Sequence, residues 1–395
     1  MTKLKTILTI YLLLLSCFPI FFISCDSNSN QIKSEDSEIE TLDNTIDFEK
    51  LDSIKINYLG NPTVHDLDPK SGTVLFMEHR ETSEEIHIAD FEGNVKASFS
   101  KRGDVPDSYG ALMSTLRIQD NNTFLVYGYN GFMVYDFEGN LQSQVKLDDF
   151  QIPSSSWKNM GFGMEKMGNR YVYLNQGKPP ENSQEYKEFS LLSWLDPQNG
   201  KKEPFIQFPE GSIFSSGKFF FMRSWFPIYC LEGDRIYLVF GAEPVIYVYE
   251  NQHLISSIPI QLPSYNYFKG ADSSSDARLF GMSMITGMIV NIKKIDEFFL
   301  IAYFPGYNRL DIEINFENKS PDESKAFRER MLKKYPNRIA ILDSAGNLIN
   351  DFVPGKLEPR SMLVRNGQLW MRETPDDEVE EDFFRLFRLG LKKEN

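Results

Sequence analysis

Residues able to carry proton or metal chemistry are few in type and poorly grouped. Four histidines are present, His65, His79, His87 and His253, and no two stand at a spacing that would place both on one metal ion. None accompanies a Gly-x-Ser-x-Gly nucleophile turn, so acyl transfer has no readable apparatus. Acidic residues number 56, and two stretches concentrate them. DDEVEED (376–382) offers the carboxylate oxygens that calcium takes, although such a run is ordinarily a solvated surface. HDLDPKSG (65–72) sets two carboxylates one residue apart, but Pro69 and Gly72 mark it as a turn. A glycosidase needs two carboxylates across a channel, a requirement this many acids leave open. No cofactor is expected, and calcium is the one ion the acidic run could take.

Recognition chemistry is better represented. Arg102, Trp157, Tyr265, Tyr267, Arg278 and Arg360 stand in or beside segments that join apolar runs. They supply planar stacking groups and forked donors, which suit a binding surface. Arg223 and Trp225, in FFFMRSWFP, lie near a strand start. The competing role for all eight is packing of one element on another.

The elements that must position these groups are written in a repeat. DFEGN occurs at 90–94 and again at 136–140, 46 positions later, each time between two alternating apolar runs. Alternation, a polar turn and renewed alternation read as a β-hairpin. Asp accepts from amides two residues on, and Gly takes the positive φ that closes the turn. The same hairpin recurs around Asp196…Gly200, at Asn251, at Asp343…Gly346-Asn347, and as FFRLFRLGLKK near the end. Two further strand-like runs precede each hairpin, PTVHDLD and GTVLFMEH before the first. Asn121-Asn122, Gly168-Asn169, Gly233-Asp234, Asp296-Glu297 and Asn366-Gly367 fall where those paired runs must turn.

Four strands per unit of about 45 residues is the period of a β-propeller blade. Five units are complete and the sixth ends one strand short. An orphan run, DSIKINYLG (52–60), precedes the first unit. Supplying the missing strand, it closes a six-bladed ring with no open edge. The expected fold is all-β: six four-stranded antiparallel blades, an N-terminal closing strand and one inserted helix. That helix lies within SPDESKAFRERMLKKYP, where Ser320, Pro321 and Glu323 form a start signal and Pro336 a stop. With its flanks it forms an insertion over about 307–336 in blade five.

Composition supports strands and excludes one class of partner. The 395 residues are 41% hydrophobic and 14% aromatic, enough for a large core. The formal charge is −14 with no basic block, so nucleic acid is not an expected partner. The N-terminus carries Lys3 and Lys5, an apolar run from Ile7 to Ile23 broken by Pro19, then Ser24-Cys25. This is a secretory signal's architecture, with a spanning anchor as the alternative. The polar acidic stretch DSNSNQIKSEDSEIE (26–40) reads as a tether that cannot bury enough to fold. If Cys17 leaves with the signal, Cys230 has no intramolecular partner once Cys25 is modified, and PIYCLEG reads as core.

A small residue, a cysteine and a flexible tether resemble the lipobox of bacterial lipoproteins. With the six-bladed ring and its D-x-x-G-N turns, the chain resembles the uncharacterised propeller lipoproteins of Bacteroidota, related in fold to TolB-like and NHL propellers. FSKRGDVPDSYG (99–110) is similar to their inter-blade link. The resemblance implies a signal over 1–24, lipidation at Cys25, a tether over 25–43 and a propeller over 44–395. It also implies an outer-membrane lipoprotein, periplasmic or surface-exposed, and it brings no catalytic residues.

Propeller topology sorts the loops. Turns between strands one and two lie at one mouth of the channel, while the two–three loops and inter-blade links lie at the other. The second face therefore receives the long segments 101–112, 148–160, 176–188, 209–218, 261–285, 304–337 and 373–382, and a ligand is expected there, over the channel. The expectation is a monomeric binding module for a glycan, peptide or envelope protein. A propeller enzyme acting on carbohydrate, or a cation-dependent hydrolase, is the alternative.

Overall fold

The repeated turns are hairpins of the expected kind. Asp90 Oδ1 accepts from the Asn94 amide, Asp136 Oδ1 from Asn140 and Asp343 Oδ1 from Asn347, each at 2.8 Å. Asp196 accepts from the Gln198 amide at 2.9 Å in the third. The fourth closes through Asn251 and Gln252, both at positive φ. At the strand one–two turns, Asn121, Asn122, Gly168, Gly233, Asp296, Asn366 and Gly367 also have positive φ, as the turn chemistry requires.

The computed structural model describes residues 45–393 apart from 80–83, 150–157, 176, 181–182, 274, 276, 377–378 and 380. Six four-stranded antiparallel sheets form the blades of a β-propeller. Blades one to five span 63–99, 117–145, 165–207, 228–259 and 288–352 in chain order. Blade six takes three strands from 363–393 and its outer strand from the other end of the chain. That strand, Ile46–Ile56, pairs antiparallel with Phe384–Lys393, with a bulge between Lys50 and Asp52. It starts six residues before the expected DSIKINYLG and stops at Ile56. Its first half shows no clean alternation because an outer strand is largely solvated, and Glu49–Ser53 are exposed.

The turn glycines have a second role. A Cβ on Gly93 would lie 2.0 Å from Lys55 O, at the end of blade six's outer strand, and one on Gly200 would lie 2.0 Å from Lys146 O, at the end of blade two's. Asn57 N donates to Gly93 O and Asp148 N to Gly200 O across these approaches. Each such turn thus closes its own hairpin and docks on the preceding blade. Between blades lie apolar layers rich in aromatics, such as Ile54, Ile56, Val64, Phe76, Trp370, Phe384 and Leu386 between blades six and one.

More helix is present than the single expected insertion. The helix read from its caps is Pro321–Lys334, with both arms of the Ser320/Glu323 capping box formed. Among the described residues four others occur in links and loops: α1 (Ser183–Glu188), α2 (Met222–Trp225), α3 (Ala277–Ile285) and α4 (Arg309–Asn315), which makes the capped helix α5. These four are too short to show a helical period, and α4 (RLDIEIN) alternates like a strand. Among the described residues no helix is long and apolar enough to cross a membrane.

The axis is filled rather than open. The segment before blade three turns across it, with Phe162 N donating to Asn159 O. Met160 joins the apolar layer that includes Val64 and Leu363 on the inner strands of blades one and six, and Phe162 packs on Phe226 and Tyr229 at blade four. Gly161 sits between them, where a Cβ would lie 1.9 Å from Met362 O. Lys293, 3% exposed, donates from blade five to Gly161 O at 2.7 Å. The chain plugs its own channel from the link side.

Candidate functional site

With the axis plugged, a large cavity on the link face lies beside it, over blade five. It has a volume of about 750 Å³ and is bounded by the 261–285 link on one side and the 304–337 insertion on the other. Each wall is fixed by its local sequence. Asn308 caps α4, its side chain accepting from the Asp311 amide at 2.9 Å. α5 starts at the Ser320 cap and buries Phe327 and Met331, which carries Tyr335 to its C-terminal end opposite Tyr307. The two tyrosine rings lie 5.0 Å apart at 31°. Asn266 ties the link to the insertion, donating from its side chain to Tyr307 O at 2.8 Å and from its amide to Pro305 O at 2.8 Å.

One carboxylate organises this wall. Asp311 is buried and accepts from Lys334 Nζ at 2.7 Å and from the Tyr335 hydroxyl. The Lys334 bond first, and the Tyr335 bond next, hold its carboxyl below the usual range. Burial first, and the bond to Asp311 next, push the Tyr335 phenol up, so it remains a donor. The cleft therefore presents two tyrosine faces, the Lys334 ammonium, and apolar surface from Met282, Ile312 and Phe316. Arg309 stands at the rim, 92% exposed and paired with Glu313 at 3.0 Å. These groups can stack on and hydrogen-bond a polar chain with apolar faces, and they include no nucleophile set against a base.

The sequence-derived candidates distribute differently. Tyr265 is a packing group: its hydroxyl donates to Gly241 O at 2.6 Å, and its ring covers Gly287. Burial pushes its phenol far above the ordinary value. Trp225 is buried against Phe189, Phe208 and Phe226. Neither reaches a ligand surface, because each fills the space where a link meets a blade. Tyr267 is half-buried and stacks edge-on against Tyr265 at 4.8 Å. Arg278 belongs to α3, and its side chain, like all of Trp157 and Cys25, lies outside the described residues.

The remaining arginines stay on the link face. Arg223 and Arg360 come close enough to interact: partial burial first, and the Arg360 charge second, lower the Arg223 guanidinium. Arg102 pairs with Glu84 at 3.3 Å, and Glu84 also accepts from Tyr109 at 3.0 Å. Lys158 lies beside this pair, its ammonium pushed down by burial first, with Glu84 opposing and Arg102 adding to the shift.

Of the acidic run 376–382, Asp377, Glu378 and Glu380 lie outside the described residues, as does the His79 side chain. Glu373, just before the run, pairs with Arg385 at 3.0 Å, and Asp376, its first residue, with Lys356 at 3.9 Å. Asp66 is buried between Arg117 and Arg365. His87 stacks on Phe76, with Tyr58 at one nitrogen and Ser98 at the other. Among the described residues no group of three or more His, Cys, Asp or Glu side chains could hold a metal ion.

The cleft's segments lie on the link face, as the strand order requires, but its lining residues were not among the sequence-derived candidates. YNRLDIEINFEN (307–318) hides them, because alternation at Leu310, Ile312 and Ile314 masks a helix. The Asn308 cap was the available signal.

No family model matches the chain, and no curated protein does. Solved structures do. A member of the DUF4221 family from Bacteroides vulgatus superposes with a TM-score of 0.61 at 13% identity, over 89% of this chain and 100% of that one. A protein of Bacteroides fragilis described only as exported gives 0.50 at 10% identity, over 88% and 96%. At these identities the likeness is one of fold, and the chain shares its propeller with Bacteroides proteins of that kind.

Proposed function

We propose that this protein is an exported, lipid-anchored binding module of the cell envelope that holds a glycan or peptide in the cleft over blade five. The carrying observation is the cleft itself: about 750 Å³, walled by the Tyr307–Tyr335 pair and by two segments that interrupt the blade repeat. Blade architecture needs neither segment, and long loops of this kind commonly serve binding. The signal-like N-terminus and Cys25 support export and anchoring. A fold neighbour described as exported agrees with the first of these.

The test is thermal unfolding of residues 44–395 against glycans, peptidoglycan fragments, calcium and chelator. A ligand that binds the folded state alone raises the transition by mass action. One of the glycans or peptide fragments is expected to raise it in the wild type and not in the Arg309→Ala/Phe316→Ala variant. A transition moved by calcium and chelator alone would replace the binding module with a cation-dependent protein. Export and anchoring are checked separately, by following whether Cys25→Ser releases the protein from membranes.

A further inference from the structure

The other mouth of the channel is built differently. The strand one–two turns of blades six, one and two, with the inner strand of blade three, surround a polar cavity of about 160 Å³. Four cationic side chains line it, Lys70, Arg117, Lys166 and Arg365, against two carboxylates, Asp68 and Asp120. A local excess of positive charge is unexpected in a chain of net charge −14.

Two guanidinium nitrogens there are unpaired. Arg117 is 91% buried by its side chain, yet its Nε has no hydrogen-bond partner. Its nearest carboxylate, Asp66, stands at 3.7 Å, beyond hydrogen-bond reach. Arg365 lies 3.4 Å from the same carboxylate and donates Nη2 to Ile118 O at 2.8 Å, which leaves its Nε unpaired as well. Asp66 meanwhile accepts from the Leu67 and Ile118 amides, so one carboxylate serves two guanidiniums and two amides. Asp68 is likewise spent, accepting from the Ser71 amide at 3.0 Å and the Asn366 side chain at 2.8 Å. A guanidinium carries five N–H donors in a fixed fork, and burying unpaired donors is costly. What satisfies such a fork is a pair of anionic oxygens.

The geometry points to an oxyanion site at this mouth: a carboxylate, sulfate or phosphate group held by Arg117 and Arg365 from below and Lys166 from the rim. The volume matches a single such group with its water, at about 30 Å³ per water molecule, rather than a whole oligosaccharide. The site is independent of the cleft over blade five, which opens on the opposite face.

The mature chain carrying Cys25→Ser would be titrated calorimetrically with sulfate, phosphate and acetate in chloride buffers of equal ionic strength. One saturable site is expected for at least one of these anions. Lys166 is exposed and unpaired among the described contacts, so Lys166→Ala should weaken binding by about three-fold or more without lowering the unfolding temperature. Arg365→Gln should weaken it by about ten-fold or more. Arg309→Ala/Phe316→Ala should leave it unchanged, which separates this site from the cleft. No saturable heat above the chloride control, or binding unaffected by both Lys166→Ala and Arg365→Gln, would overturn the assignment.

Discussion

A single residue of the repeated turn meets two demands at once. Gly93 has a φ of +92° and also faces Lys55 O at a distance no Cβ could occupy. Gly168 has a φ of +62° but nothing within 4 Å of its Cβ position. Gly93→Ala should therefore cost at least about 2 kcal/mol, and Gly168→Ala only about 1 kcal/mol. Urea unfolding of the two variants separates the close approach from the backbone conformation, and equal costs would remove the docking role. The sequence made the positive φ legible through D-x-x-G-N, but not the approach, since it depends on a strand 38 positions upstream. The turn aspartates add a pH dependence. Burial pushes the Asp90 carboxyl up, but Lys96 and the Asn94 bonds outweigh it and hold it at about 2. Asp136 and Asp343 are lowered in the same way, by bonds from Asn140 and Asn347 that outweigh burial. An unfolded aspartate protonates at about 3.9. The folded state thus binds fewer protons below that pH, and stability is lost as pH falls from about 4 through about 2. Replacing all three by Asn should narrow the difference from wild type in unfolding temperature across that window, and a constant difference would contradict the linkage.

At the scale of elements, closure rests on Ile46–Ile56. Ile54 and Ile56 are buried between blades six and one, and the strand covers the edge of Phe384–Lys393. Starting the chain at residue 57 removes both isoleucines, worth about 3–6 kcal/mol of burial, and exposes that edge. The shortened protein should unfold at a much lower temperature or aggregate, while one starting at residue 44 should match the mature chain. Equal unfolding of the two would mean the ring does not depend on its closing strand. Ser320→Ala removes one arm of the capping box and should cost α5 about 1 kcal/mol, read as faster amide exchange in its first turn. The caps of α5 were legible because Ser, Pro and Glu each act within one turn. α3 and α4 were not, because short helices held in place by links and rings leave little periodicity to read.

The six blades form a ring that fills its own axis. Met160, Gly161 and Phe162 close the link-side mouth, and Lys293 and Glu165 stand 3.7 Å apart within it. That closure explains why the cavity proposed for a ligand lies beside the channel and not over it. The number of blades and their closure were legible because they follow from a repeated local pattern with one strand displaced. The cleft was legible as two long segments and no further, because its lining comes from residues 264 to 335 brought together by helix packing. Tyr265 and Trp225 show the converse: types that suit recognition were drawn into packing where link meets blade. The central claim is that the cleft binds a glycan or peptide, and calorimetric titration of the fragment that stabilises the protein tests it most directly. The account predicts one site per chain, lost in Arg309→Ala/Phe316→Ala and retained in Lys166→Ala. Binding that survives the cleft substitutions unchanged would contradict it.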